Sequence, residues 1–281
     1  LAFNYAQIGQ ENSFTWNSMR KGLEIQFPLV ARLRDEGKLR VETLAASGKW
    51  FRSRFPTTPT TAMTFQDPLG DDRRQTLWFN SRFYRINLLW ESGELRIRDL
   101  HMFNQNVESP ILRDRISGHS VEFFTLPVVD GFFWSSKDFR AGVKATHQVD
   151  GRRQALVGGQ PDIQPTSAAS VHVSWPLITP PGELAIDLTE DAVRFTLNDE
   201  THVNWQLELH CDPKATLPFR QVTPHRLNAT FLGFPYAVRT LCGRFTEPEG
   251  GGFSLVPEAG KIELGFTPTD SEGVPMSERL P

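Results

Sequence analysis

Two segments near the start of the chain combine carboxylates with indole, amide and guanidinium side chains. The residues concerned are Gln10, Glu11, Trp16, Glu42, Trp50 and Arg54. Pyranose rings stack their C–H faces on indole rings, and paired carboxylates supply the acid and the base for the hydrolysis of glycosidic bonds. The pattern therefore indicates sugar chemistry, with Glu11 and Glu42 as candidate catalytic residues and the other four as candidate substrate-binding residues.

Each of these residue types also has a structural use. An acidic residue such as Glu11, placed just before a predicted helix, stabilises the helix N-terminus electrostatically. Trp16 and Trp50 are large enough to pack between domains instead of stacking on a sugar. Residue type alone leaves both interpretations open, and the choice depends on the elements that position these side chains.

The first part of the chain predicts a strand, a helix and a second strand. Leu1–Ile8 and Leu39–Leu44 are apolar enough for two short strands. Between them, apolar residues recur at helical spacing, namely Met19, Leu23, Phe27, Val30 and Leu33. In such a βαβ unit the loops after both strands leave the same edge of the sheet, which would bring the two segments together.

A change of composition marks a domain boundary. Proline and threonine residues over 56–61 predict an extended linker. We therefore expect a βαβ segment over 1–58 and a second domain over 59–281.

Alternating apolar residues in the second domain predict antiparallel strands. The pairs of runs Tyr84–Trp90 with Leu95–Arg98, and Leu184–Leu188 with Val193–Leu197, are each separated by a short turn segment and predict two hairpins. The strand–turn spacing predicts a mainly β fold, with a large antiparallel, supersandwich-like β-sandwich. The residues predicted to lie in its core are Ile186, Val193, Phe195, Trp205, Leu207 and Leu264.

One long stretch of this domain gives few strand signals. Residues 142–181 are rich in Gly, Pro, Ser and Gln. They predict either a long surface excursion or an irregular crossover between sheets.

Charge and cysteine content narrow the class of protein. Lys plus Arg total 30 against 33 Asp plus Glu, so the net charge is −3 and the sequence offers no basic face for a nucleic acid. Apolar runs stay well short of the roughly 18 residues of a membrane-spanning helix. Cys211 and Cys242 allow one disulfide bridge or two free thiols, which leaves both cytoplasmic and extracytoplasmic locations open.

Metal and cofactor motifs are weak. His202 and His210 lie about 26 Å apart in an extended strand, too far to share a metal ion. Asp67, Asp71 and Asp72 are followed by two arginines, which favours a solvated turn over a calcium site. We expect neither a metal nor a cofactor.

Five short runs of the sequence carry a resemblance to a known group of proteins: Phe3–Glu11, Phe27–Leu33, Gly48–Phe51, Thr58–Pro59 and Trp78–Asn87. Together they resemble the end of the barrel in bacterial glycoside hydrolases and polysaccharide-deacetylase-like proteins that carry a C-terminal β-sandwich. The resemblance implies that the βαβ segment is the remnant of a β/α barrel. It also implies that the other barrel strands, with much of the catalytic chemistry, lie upstream of Leu1.

The sequence leaves three hypotheses for function. The chain is part of a glycoside hydrolase that acts on a poly- or oligosaccharide, with the barrel domain as its partner. Alternatively, it is a non-catalytic carbohydrate-binding or structural β-sandwich module, or an aldose-epimerase-like sandwich enzyme that uses His and Glu. The first hypothesis requires further strand–helix repeats, with carboxylates after the strands, upstream of Leu1.

Overall fold

The computed structural model describes residue 3 together with residues 15–67, 74–108, 125–199, 202–248 and 251–267. The chain divides into two compact units, a smaller one over Phe3–Thr58 and a larger one that begins at Pro59. The two described helices lie in the smaller unit, and the described strands lie in the larger one.

The smaller unit contains the helices α1 (Trp16–Asp35) and α2 (Leu44–Arg54). Thr43 caps α2, because its side-chain oxygen accepts a hydrogen bond from the backbone N–H of Ala46 at 3.2 Å. Such a cap satisfies one of the four N–H groups that a helix leaves unpaired at its N-terminus. The cap therefore fixes where α2 begins.

A cluster of aromatic rings packs along α2. The Phe3 ring lies 5.6 Å from Trp50, 5.7 Å from Phe51 and 5.6 Å from Phe55, measured between ring centroids. Trp50 and Phe55 also meet edge to face at 5.5 Å. Contacts of this kind add roughly 0.5–1.5 kcal/mol each beyond the burial of area.

The predicted βαβ arrangement is wrong at its second strand. The structure has no strand over Leu39–Leu44: residues 39–43 form neither a strand nor a helix, and α2 begins at Leu44. The backbone N–H and C=O groups of a strand need a neighbouring strand as hydrogen-bond partner. A helix such as α2, capped by Thr43, forms its backbone hydrogen bonds within itself. The first predicted strand, Leu1–Ile8, lies outside the described residues except for Phe3.

Nineteen strands lie among the described residues of the larger unit. They are β1 (Thr61–Gln66), β2 (Gln75–Asn80), β3 (Tyr84–Glu91), β4 (Glu94–Met102), β5 (Leu126–Asp130), β6 (Gly142–Val149), β7 (Arg152–Ala155), β8 (Val157–Gly158), β9 (Asp162–Ser167), β10 (Ser170–Thr179), β11 (Gly182–Leu188), β12 (Ala192–Asp199), β13 (Trp205–His210), β14 (Phe219–Thr223), β15 (Arg226–Phe231), β16 (Phe234–Cys242), β17 (Arg244–Thr246), β18 (Ser254–Val256) and β19 (Lys261–Gly265).

These strands pair as two sheets, and every described strand pair is antiparallel. The first sheet follows the order β1-β2-β3-β4-β6-β13-β18-β17, with β5 beside β4 and β7 beside β6. The second sheet follows the order β9-β10-β11-β12-β19-β16-β15-β14. The predicted mainly β, antiparallel fold is confirmed.

The short strand β8 joins the two sheets. Val157 pairs with Glu94 of β4 in the first sheet, and it also pairs with Thr179 of β10 in the second. A Cβ at Gly158 would lie 2.6 Å from the indole Nε1 of Trp175, a distance that real Cβ atoms essentially never show. Glycine is therefore required at this corner by close approach.

The apolar faces of the two sheets meet in one core. Ile86 and Ile97 of the first sheet and Val193 and Phe195 of the second line the same internal void of about 10 Å³. Packing is thus close to complete, as in most protein interiors. All six residues predicted for the core are at most 3% exposed: Ile186, Val193, Phe195, Trp205, Leu207 and Leu264.

The prediction for residues 142–181 is right about a crossover between sheets and wrong about its irregular structure. The chain passes here from the first sheet to the second, but it does so through the strands β6 to β10, two of which are eight and ten residues long. The glycines and prolines of this stretch lie mostly at strand ends and in the short strands, where they do not interrupt pairing. The alternation of Val171, Val173, Trp175 and Leu177 along β10 was the signal for a strand.

The two cysteines form no bridge. Cys211 and Cys242 are both free thiols. Of the two states that the sequence allowed, the structure therefore has the reduced one.

Tyr84 links the two sheets by a buried polar contact. Its hydroxyl lies 2.8 Å from the carbonyl oxygens of Thr189, in the turn after β11, and of Ala192, the first residue of β12. Its ring stacks on Phe266 with centroids 4.2 Å apart. A buried carbonyl that loses its donor is costly, so this hydroxyl anchors the turn.

We expect Tyr84→Phe to lower the free energy of unfolding by about 1–2 kcal/mol, because it keeps the stack on Phe266 and removes only the hydroxyl. Urea denaturation measures this change. The control Phe65→Leu alters an exposed ring of β1 and should stay within about 0.5 kcal/mol of the original protein. An unchanged unfolding midpoint in Tyr84→Phe would contradict the anchoring role.

Candidate functional site

The residues predicted for sugar chemistry are only partly within the described structure. Gln10 and Glu11 lie outside the described residues, and their predicted roles stay predictions. Trp16 is the first residue of α1, and 58% of it is exposed.

Glu42 makes local contacts at the start of α2. Its Oε2 accepts a hydrogen bond from the Ser47 hydroxyl at 3.1 Å, and its Oε1 lies 3.6 Å from Arg40 Nε. An acidic side chain just before a helix also interacts favourably with the positive N-terminal end of the helix dipole. The observed contacts of Glu42 are therefore those of a residue that stabilises the helix start.

Trp50 and Arg54 lie on α2 and not in a loop after a strand. The guanidinium carbon of Arg40 lies 5.8 Å from the centre of the Trp50 ring, which also packs against Phe3 and Phe55. The indole is thus used within its own unit. The sequence predicted that the loops after two parallel strands would bring Glu11, Trp16 and Trp50 to one edge of a sheet. Because the second of these strands is absent, the structure does not provide that edge.

The described side chains assemble no metal centre, since no three His, Cys, Asp or Glu residues among them are positioned to hold an ion. Neither helix in the same parts of the chain is both long and apolar enough to cross a membrane.

A buried histidine lies between two carboxylates of the first sheet. His101 is 1% exposed, and its Nε2 lies 3.6 Å from Asp99 Oδ2 and 3.7 Å from Asp130 Oδ2. Its Nδ1 lies 2.7 Å from the hydroxyl of Thr125. Arg85 binds the Asp99 carboxylate through two N–H groups at 2.8 and 3.1 Å.

Burial decides the charge of this cluster. It lowers the pKa of His101 from 6.5 to about 4, and the positive charge of Arg85 acts in the same direction. Burial also raises the pKa of the Asp99 carboxyl. Because His101 is closed to solvent, we interpret the cluster as a structural network and not as a reactive site.

One surface cleft among the described residues has a volume of about 1070 Å³ and lies beside the loops around β11, β12 and β19. Its polar lining includes Asn198, Asp199 and His202. The indole in its wall, Trp205, is only 2% exposed. The described lining of this cleft therefore offers a sugar no exposed Phe, Tyr or Trp ring.

A second cleft, of about 560 Å³, combines an exposed ring with many charged groups. Its described lining is Arg74, Glu91, Ser92, Glu94, Arg96, Asp138, Phe139, Arg140, Lys144 and His210. We call it the Arg–Phe cleft. The Phe139 side chain is 45% exposed, and the volume is typical of ligand sites.

One hairpin and its neighbour form the floor of the Arg–Phe cleft. Glu91 and Glu94 are directly paired across the turn between β3 and β4. Arg96 follows on the same side of β4, since side chains two apart on a strand share a face. Lys144 of β6 is paired with Arg96. Three neighbouring strands therefore hold these four charges at fixed spacing.

The loop between β5 and β6 supplies the wall that contains Phe139 and Arg140. Within it, the Ser135 hydroxyl donates to the carbonyl of Gly131 at 2.8 Å and accepts from the N–H of Ala141 at 2.8 Å. These two bonds tie the two ends of the loop together. The loop that forms this wall is therefore held in one conformation by its own hydrogen bonds.

Three guanidinium groups gather around one carboxylate in this cleft. Glu91 Oε1 lies 2.8 Å from Arg74 Nε, and its Oε2 lies 3.0 Å from Arg140 Nη1 and 4.0 Å from Arg96 Nη2. Arg96 also donates to the carbonyl of Ala141 at 2.9 Å. Burial lowers the pKa of Arg96, and the neighbouring cation Arg140 lowers it further, whereas Glu91 raises it.

His210 adds an imidazole at the rim. Burial lowers its pKa, and Lys144 does so as well, while Glu208 opposes them. A neutral imidazole has one donor and one acceptor, which suits it to bind a hydroxyl group.

Comparisons with known proteins gave no relatives. No protein-family model matches the chain, and neither the curated proteins nor the solved structures contain a significant match.

Sequence reasoning missed the Arg–Phe cleft for an identifiable reason. Its members come from four separate places in the sequence, and only folding brings them together. The alternation in the predicted hairpin indicated that Glu94 and Arg96 point away from the core. Their neighbours in the cleft, Lys144 and Phe139, lie far from the hairpin in sequence. No spacing rule connects such residues.

We expect the contribution of His101 to stability to fall as pH decreases from 6.5 towards 4, because the unfolded chain protonates His101 near pH 6.5 and the folded chain only near pH 4. Over this window the unfolded state binds more protons, which costs up to about 3 kcal/mol of folding free energy. His101→Asn should flatten this part of the stability curve, as measured by urea unfolding at a series of pH values.

The surface variant His225→Asn serves as the control and should leave the slope unchanged. If His101→Asn retained the original slope, the acid sensitivity would have another source.

Proposed function

We propose that the larger unit recognises carbohydrate and that the Arg–Phe cleft is its binding site. The observation that carries the proposal is the exposed ring of Phe139 beside planar charged side chains such as Glu91 and Arg140. Sugar rings present C–H faces that stack on aromatic rings and hydroxyl groups that bind carboxylates and guanidinium groups. The cleft offers both on one surface.

The geometry supports recognition by this cleft more than cleavage. A glycosidase uses two carboxyl groups, one of which must carry a proton for the leaving oxygen. Glu91 is ion-paired with Arg74 and Arg140, and Glu94 lies 3.1 Å from Lys144 Nζ. Neither carboxylate is placed to serve as an acid. The cleft thus fits the hypothesis of a carbohydrate-binding module.

A catalytic role for Glu11 and Glu42 stays a prediction of the sequence. It is compatible with a binding sandwich, because a glycoside hydrolase gains from a unit that holds its polymer near the catalytic centre. The proposal for the Arg–Phe cleft does not depend on it.

We expect Phe139→Ala to weaken binding of an oligosaccharide about tenfold or more, since the stacking surface is lost while the charged floor remains. Isothermal titration calorimetry against a panel of neutral and acidic hexasaccharides measures the effect. Thermal unfolding of the variant should stay close to that of the original protein, because the ring is half exposed.

The matched control is Phe65→Ala, which removes another half-exposed ring that is not part of the cleft lining. It should bind like the original protein. Absence of binding to every sugar in the panel, or equal loss in both variants, would overturn the proposal.

A further inference from the structure

The described lining of the Arg–Phe cleft carries more positive than negative charge. Its cations are Arg74, Arg96, Arg140 and Lys144, and its carboxylates are Glu91, Glu94 and Asp138. The chain as a whole has a net charge of −3, so this local excess runs against the overall charge. A concave site with such a bias attracts anions.

Glu91 demonstrates how the cleft binds a carboxylate. One of its oxygens is held by Arg74 at 2.8 Å and the other by Arg140 at 3.0 Å, with Arg96 4.0 Å away. Guanidinium groups match the planar, two-oxygen geometry of carboxylates better than the point charge of lysine does. The chemical group to which this cleft is already fitted is therefore a carboxylate.

Arg140 retains capacity for a second carboxylate. A guanidinium group carries five N–H donors. Arg140 directs Nη1 to Glu91, and 71% of its side chain is exposed. The adjacent residue is Phe139, whose exposed ring belongs to the same cleft. An anionic group bound by Arg140 would thus lie next to a stacking surface.

We infer that the Arg–Phe cleft selects acidic sugars, with the carboxylate of a uronic acid bound by Arg140 and the pyranose ring placed on Phe139. This inference deepens the proposed function and rests on it. Glu91 then opposes ligand binding, since its negative charge lies beside the Arg140 guanidinium that the ligand carboxylate uses. Arg140 is the selectivity determinant, and Phe139 contributes to the binding of neutral and acidic sugars alike.

The test compares three hexasaccharide probes, namely a hexamer of galacturonic acid, a neutral hexamer of glucose and a sulfated hexamer. In low salt, the uronic acid hexamer should bind at least about tenfold more tightly than the neutral one. The difference should shrink as salt rises from roughly 0.02 M to 0.5 M, because exposed charge interactions are screened. Inorganic sulfate at millimolar concentration should not displace the uronic acid hexamer.

Two variants of opposite expected sign sharpen the test. Arg140→Gln should abolish the preference for the acidic probe, because it should weaken binding of that probe far more than binding of the neutral one. Glu91→Gln should strengthen binding of the acidic probe, because it removes the competing carboxylate. The matched control Lys137→Gln removes the same charge from the same loop at a side chain that is 90% exposed and outside the cleft lining; it should retain the preference.

The outcomes separate the inference from the proposed function. If the neutral and acidic hexamers bound equally well, the proposed function would stand and the selectivity would be refuted. Tighter binding of the sulfated hexamer, or displacement by inorganic sulfate, would refute the assignment to a carboxylate. If no hexamer bound at all, the proposed function itself would fail.

Discussion

The burial of two apolar sheet faces against each other constrains every other feature of the larger unit. Fully burying a side chain such as Leu88 or Ile97 is worth about 1.5–3 kcal/mol, whereas an exposed ion pair contributes about 0–1 kcal/mol. The apolar residues therefore set the register of each strand. Because side chains alternate across a strand, Glu94 and Arg96 are forced outwards once Leu95 and Ile97 are in the core. The charged floor of the cleft is a consequence of the core.

This origin gives the cleft a rigid arrangement of charge. Glu91, Arg96 and Lys144 lie on strands whose opposite faces are packed, and the loop that carries Phe139 is tied together by the hydrogen bonds of Ser135. Side chains held in this way lose little further freedom when a ligand binds. Recognition in the cleft therefore relies on preformed geometry more than on rearrangement.

The sequence predicted those elements whose signal is local. The hairpin between β3 and β4 and the six core residues could be read directly, because alternation over a few residues decides them. The strand proposed for Leu39–Leu44 failed because a short apolar run does not by itself supply a neighbouring strand: residues 39–43 form neither a strand nor a helix, and the Thr43 cap starts α2 at Leu44. The strands within 142–181 were obscured by composition. The Arg–Phe cleft could not be predicted in this way, because it depends on the pairing of β4 with β6. The alternation of residues along each strand does not show which strands pair.

The two-residue strand β8 has a consequence for self-association. The free edge of a sheet presents unpaired N–H and C=O groups that can recruit a strand from another molecule. Val157 and Gly158 occupy such groups on β10, and Val157 pairs with β4 at the same corner. Since Trp175 leaves no room for a larger residue at Gly158, any side chain there would push β8 away from β10. The N–H and C=O groups of β10 at this corner would then lose their partners, so this glycine keeps the edge of the second sheet covered.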